Sequence, residues 1–149
     1  MLEAFSILAY RGKAYLPTHS KLGSGSYIPI GPVIVAELTS EGLQDAINQL
    51  TTAGHPAGPN PLTREFWKTY KEPLQQATRV KSQKQLDREG LHYTVMWAPD
   101  HILLTMPKPN PADRPRDEHG VPRTFPLDTP IAEIIGVILD NVQQLSHQP

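Results

Sequence analysis

The sequence predicts a single α+β domain, in which an antiparallel sheet of four or five strands carries helices packed mainly on one face. Two apolar stripes with helical spacing, at residues 40–53 and 130–143, and one alternating apolar–polar pattern at residues 91–106 support this class. The length of 149 residues is typical of one domain. We find no internal repeat and no boundary in composition, so residues 1–149 are treated as one domain.

The strands are predicted from apolar runs that turn residues separate. Residues 5–11 and 14–16 form a strand pair around Gly12, and residues 33–38 form a β-branched strand. Residues 18–32 are rich in glycine, serine and proline, which predicts a loop.

The clearest strand signal is the run Leu91–Trp97, whose alternate residues are apolar. Residues 98–101 form a turn, and residues 102–106 return as the second strand of a hairpin over 91–106. Residues 107–123 hold several prolines and charges, which predicts an exposed loop or a long, loose hairpin tip. Thr124–Phe125 adds a short edge strand.

Two long helices are predicted from capping signals. The first runs over residues 40–53, with Thr39 or Ser40 as its N-cap and Gly54 at its end. The last begins at Pro130, directly after a capping side chain, and is predicted to fray over residues 143–149.

The segment between the first helix and the hairpin predicts shorter helices. Residues 63–90 form one or two of them, capped by Thr63 and broken near Pro73. Ser82 caps a final short piece over residues 83–88.

Composition excludes several kinds of chemistry. The chain contains no cysteine, which rules out disulfides, thiolate catalysis and cysteine-ligated zinc. The six histidines lack the spacing of a metal-binding helix, and the glycines at 23–25 lack the lysine of a phosphate-binding loop. We therefore predict no catalytic residue, no metal ligand and no cofactor.

Charge and hydropathy argue against some partners and locations. The net charge of −1 does not favour nucleic acid as a partner, although Phe66, Trp67 and Tyr70 lie in a basic segment. That segment, residues 61–90, carries seven basic and four acidic residues, whereas residues 91–149 carry four basic and seven acidic ones. No apolar run has the length of a membrane span, and the first ten residues lack a basic leader, which predicts a cytoplasmic protein.

The charged loop at residues 110–120 is the candidate functional surface. Two interpretations of it remain open. Its partner-binding candidates are Asp113, Arg114, Arg116, Asp117 and Glu118. One interpretation is a surface that binds a protein partner. The alternative is a small enzyme or nucleotide-handling protein, with its site near the 91–106 hairpin and the 110–120 loop, where His92 and His101 lie close to each other across the strands.

Three short segments resemble a known class of proteins. The opening run 5–18, the helix end 53–56 and the helix start 124–130 resemble small bacterial proteins, some of which are immunity proteins of contact-dependent growth inhibition systems. The resemblance implies a non-enzymatic protein that binds and blocks a bacterial toxin. These motifs are structural, so they assign no functional residue. An acidic loop that faces a basic toxin is the contact that the charge distribution favours.

Overall fold

Six antiparallel strands form one sheet in residues 2–56, 64–114 and 120–146, which the computed structural model describes. The strands are β1 (Ala4–Tyr10), β2 (Lys13–Lys21), β3 (Tyr27–Glu37), β4 (Leu91–Trp97), β5 (Ile102–Met106) and β6 (Val121–Phe125). Their order across the sheet is β3-β2-β1-β4-β5-β6. The predicted α+β class is confirmed, but the count of four or five strands is wrong. The predicted edge strand Thr124–Phe125 is in fact five residues long and pairs with β5 along its length.

The long hairpin of β2 and β3 replaces the loop predicted at residues 18–32. That prediction is wrong because proline was taken as a strand breaker. Pro29 and Pro32 lie in β3, an edge strand, where a missing backbone N–H is tolerated. The pairing register of β2 and β3 shifts between Pro17 and Thr18, so the ladder is interrupted there by a β-bulge or a similar irregularity.

Five helices lie in the described residues, and most of their boundaries match the prediction. They are α1 (Ser40–Ala53), α2 (Arg64–Thr69), α3 (Pro73–Thr78), α4 (Gln83–Glu89) and α5 (Ile131–Ser146). The Thr39 hydroxyl caps α1 by accepting the Gly42 N–H at 3.0 Å, and the Ser82 hydroxyl caps α4. The predicted cap Thr63 lies outside the described residues.

The C-terminal helix is longer than predicted. It continues through Ser146, so the fraying predicted from residue 143 is wrong for residues 143–146, and residues 147–149 lie outside the described ranges. Val142 and Leu145 pack against the core and continue the apolar stripe by one more turn.

Both faces of the sheet carry helices, although the two long ones share one face. Helices α1 and α5 bury one side of every strand in the main core. On the opposite face, Leu74 of α3 and Leu86 of α4 pack on Leu8 and Tyr10 of β1. The prediction that helices pack mainly on one face therefore holds for α1 and α5 alone. On the second face, the side chains of β4 and β5 are only partly covered.

Candidate functional site

A half-open cavity of about 290 Å³ lies on that second face. The end of α4, the outer side chains of β4 and β5, and the segments around residues 107, 114 and 120 enclose it. Its lining residues are Asp87, Gly90, His92, Thr94, Thr105, Met106, Pro107, Lys108, Arg114 and Gly120. The strand alternation explains part of this set, because Thr94 and Thr105 are directly paired across β4 and β5.

One ring nitrogen of His92, Nε2, is shielded from water. This atom is buried and has no hydrogen-bond partner among the described residues. The nearest acid is Asp87, whose Oδ1 lies 3.8 Å away, beyond hydrogen-bond distance. Burial lowers the pKa of His92, the nearby Arg114 lowers it further, and Asp87 partly opposes both effects. The ring is therefore neutral at neutral pH.

Arg114 joins the segment 108–114 to the end of α4. Its Nε donates to the Lys108 carbonyl at 2.7 Å, Nη1 donates to the Arg88 carbonyl at 3.0 Å, and Nη2 donates to the Pro109 carbonyl at 3.2 Å. Burial lowers the pKa of this guanidinium, which nevertheless stays charged. The three bonds fix the position of a positive charge at the edge of the cavity.

The predicted contact residues do not all fall in the described chain. Arg114 lies in the cavity wall, whereas its neighbour Asp113 is exposed. Arg116, Asp117 and Glu118 lie outside the described residues.

The predicted approach of His101 to His92 is wrong. His92 lies near the start of β4, whereas His101 lies in the turn beyond its other end, where its Nδ1 is 2.6 Å from the Asp100 carboxylate. The two residues were expected to be close because they flank the hairpin. The register pairs Trp97 with Ile102, which leaves His101 at the tip.

Sequence reasoning missed Asp87, Lys108 and the paired threonines as parts of the cavity. Thr94 shares the polar side of β4 with His92, and this alternation was the available signal. Nothing in the sequence links Asp87 to β5, because only the packing of α4 on the sheet brings the two together.

A second polar cluster surrounds His55, which links the start of the chain to β2. The Nε2 atom of His55 accepts the Glu3 N–H at 3.1 Å, so Nδ1 carries the proton and donates to the His19 carbonyl at 3.1 Å. The Tyr27 hydroxyl and Lys21 both donate to the Glu3 carboxylate. Burial lowers the pKa of His19 to about 4, with the neighbouring His55 acting in the same direction. This cluster stabilises the fold and borders none of the cavity described above.

The two helical layers differ in charge. Helices α1 and α5 contain four acidic residues, Glu41, Asp45, Glu133 and Asp140, and no lysine or arginine. On the opposite side, α4 and the turn before it carry Arg79, Lys81, Lys84 and Arg88 against two acids. Of these helices, α4 lies in the basic segment 61–90 and α5 in the acidic segment 91–149.

Solved structures with a similar fold include two bacterial proteins. The first is the protein of unknown function NMB0488 from Neisseria meningitidis, at a TM-score of 0.58 and 14% identity, with 93% of this chain and 91% of that chain aligned. The second is a chain of the CdiA-CT/CdiI toxin and immunity complex from Yersinia pseudotuberculosis, at a TM-score of 0.52 and 13% identity, with 96% of each chain aligned. At these identities the likeness concerns the fold.

Other comparisons do not place the chain in a family. No family model matches the sequence, and no curated protein matches it. Among the described residues, no helix is long and apolar enough to span a membrane, and no three His, Asp or Glu side chains converge to hold a metal ion.

Proposed function

We propose that this protein is an immunity-type inhibitor that binds and neutralises a bacterial toxin in the cytoplasm. The observation that carries the proposal is the fold similarity to a chain of a toxin and immunity complex, which extends over 96% of both chains. An inhibitor of this kind needs a stable scaffold and a surface whose charge complements its target. The acidic surfaces of this chain suit a basic toxin.

Two sets of acidic residues are candidates for such a contact. The charged loop offers Asp113, Asp117 and Glu118, while the helical layer offers Glu41, Asp45 and Asp140. We favour the loop because Arg114 anchors its described part through three hydrogen bonds, which reduces the entropy lost when a partner binds.

The experiment compares two triple charge reversals in a pull-down from the native host at low salt. Reversing Asp113, Asp117 and Glu118 to lysine is expected to abolish recovery of a single stoichiometric partner. The matched control reverses Glu41, Asp45 and Asp140, and it is expected to retain the partner. The opposite pattern would move the contact to the helical layer, and the absence of any stoichiometric partner for the wild-type chain would contradict the proposal.

A small enzyme with its site at the cavity is the second candidate. The observation in its favour is that a histidine and a carboxylate, His92 and Asp87, lie 3.8 Å apart in the wall of one cavity. We rank the enzyme second because the sequence contains no recognisable nucleophile motif or metal-binding motif beside His92 and Asp87.

A further inference from the structure

We propose that the cavity beside Arg114 and His92 binds a small anionic group, a phosphate or a carboxylate. This inference does not rest on the proposed inhibitor function, because it concerns the chemistry of the cavity alone. Two independent features of the described residues support it: a guanidinium with no carboxylate within 4.0 Å, and a buried ring nitrogen with no hydrogen-bond partner.

The first feature is the positive charge of Arg114. Among the described residues, no carboxylate lies within 4.0 Å of its guanidinium. A guanidinium carries five N–H donors, and three of them are used by the carbonyls of Arg88, Lys108 and Pro109. Two N–H donors remain on a guanidinium that is held in place, and an anion supplies acceptors for them together with an opposite charge.

The second feature is Nε2 of His92. Buried polar atoms in native proteins almost always have a partner, so an atom without one calls for an explanation such as a bound group. Asp87 is too distant to serve as that partner. An anion whose oxygen accepts a hydrogen bond from Nε2 satisfies this atom, and Arg114 lines the same cavity.

The composition of the wall favours an anion over a cation. Among the described lining residues, Lys108 and Arg114 are positive, Asp87 is negative and His92 is neutral, so their formal charges sum to a positive value. The hydroxyls of Thr94 and Thr105 add two further donors from adjacent strands. A volume of about 290 Å³ lies at the lower end of the range for ligand pockets, so it suits a small group better than a large cofactor.

The test is a titration of the purified full-length chain with inorganic phosphate at low ionic strength, followed by NMR of the arginine Nε–H and histidine ring signals. We expect saturable shifts at Arg114 and His92, and no such shifts with sodium chloride at equal ionic strength. Shifts spread over many surface lysines and arginines without saturation would overturn the proposal.

Two substitutions and a matched control sharpen the titration. R114Q is expected to weaken phosphate binding about tenfold or more, because a charge-assisted contact is lost. R123Q removes the same charge from an exposed arginine of β6, whose side chain lies on the α5 face of the sheet, and is expected to change the affinity less than about twofold. Equal effects of the two variants would show general charge attraction and overturn the proposal.

A third variant keeps the test valid if R114Q is poorly folded. H92F preserves the Arg114 contacts and removes the buried nitrogen, so binding is expected to weaken about threefold or more. Unchanged binding in H92F would remove His92 from the site and contradict the proposal as stated.

The source of the anion is resolved by a parallel titration with acetate. Saturable binding of phosphate alone indicates a phosphate-bearing small molecule, whereas comparable binding of acetate indicates the carboxylate of an acidic side chain. Absence of saturable binding for both anions would overturn the proposal. Pull-down of a toxin is a separate measurement, so the inhibitor function and the anion site can fail independently.

Discussion

The guanidinium of Arg114 donates a hydrogen bond of 3.0 Å to the backbone carbonyl of Arg88. This bond joins the charged loop to the last turn of α4, 26 residues earlier in the chain. A cation at this position also interacts favourably with the unpaired carbonyls at the end of a helix. The same side chain therefore positions the loop, caps a helix and lines the cavity.

Replacing Arg114 by alanine is expected to lower the free energy of unfolding by about 2 kcal/mol, because three carbonyls lose a charged donor. Urea denaturation at neutral pH measures the change. R123A is the control, since in the described residues Arg123 makes a cation–π contact with the Phe125 ring at 5.0 Å and no hydrogen bond or ion pair, and its loss is expected to cost less than about 1 kcal/mol. Equal losses would contradict the anchoring role of Arg114.

The pKa of His19 predicts a loss of stability in mild acid. The folded-state pKa of about 4 lies below the ordinary value of 6.5, because burial disfavours the charged ring. Between these values the unfolded chain binds a proton that the folded chain does not, so stability is retained above about pH 6.5 and falls as the pH decreases toward 4. At about 1.4 kcal/mol per unit, the His19 contribution reaches about 3 kcal/mol.

The check is the difference in unfolding free energy between wild type and H19Q from pH 7 to pH 4.5. We expect this difference to shrink as the pH falls, since the variant lacks the titrating ring. Other groups, including His92, titrate in both proteins and cancel. A difference that stays constant with pH would refute the assignment.

Two glycine substitutions are expected to change stability in opposite directions. A Cβ at Gly120 would lie 2.0 Å from the Met106 carbonyl oxygen, a backbone atom, so G120A is expected to cost about 2 kcal/mol or more. A Cβ at Gly136 meets nothing within 4 Å, and this residue lies inside α5, so G136A is expected to stabilise by about 0.5–1 kcal/mol. Thermal unfolding of both variants tests the pair, and a stable G120A would contradict the packing of β6 against β5.

Tyr93 ties the central strand β4 to α5. Its hydroxyl donates to Oδ1 of Asn141 at 2.7 Å, and the ring is fully buried. Y93F is expected to lower the unfolding free energy by about 1 kcal/mol, because Asn141 loses its donor. Y15F serves as the control, since the Tyr15 hydroxyl has no hydrogen bond among the described residues, and its expected change is near zero. A loss of similar size in Y15F would show that the bond to Asn141 contributes little.

Local patterns predicted the elements that local forces determine. The apolar stripe and the capping residues of α1 predicted a helix over residues 40–53, and the alternation in Leu91–Trp97 predicted the first strand of the hairpin. The β2–β3 hairpin was missed because the effect of Pro29 and Pro32 depends on whether their strand lies at an edge. That position is a property of the whole sheet.

The candidate site was predictable only in part, for a related reason. Arg114 was selected from a charged loop, and His92 from the polar side of a strand. Their shared cavity depends on Asp87 and α4 packing beside β4, which no spacing in the sequence encodes. The prediction that His92 lies close to His101 was wrong, because the register of the hairpin, and not closeness in sequence, determines which residues meet.

The central claim is that this chain neutralises a toxin by binding it. The direct measurement is the growth of a heterologous bacterial host that expresses the partner recovered in the pull-down, with and without this chain. We expect growth arrest when the partner is expressed alone and restored growth when the wild-type chain is co-expressed. A harmless partner, or a growth arrest that the chain does not relieve, would contradict the claim.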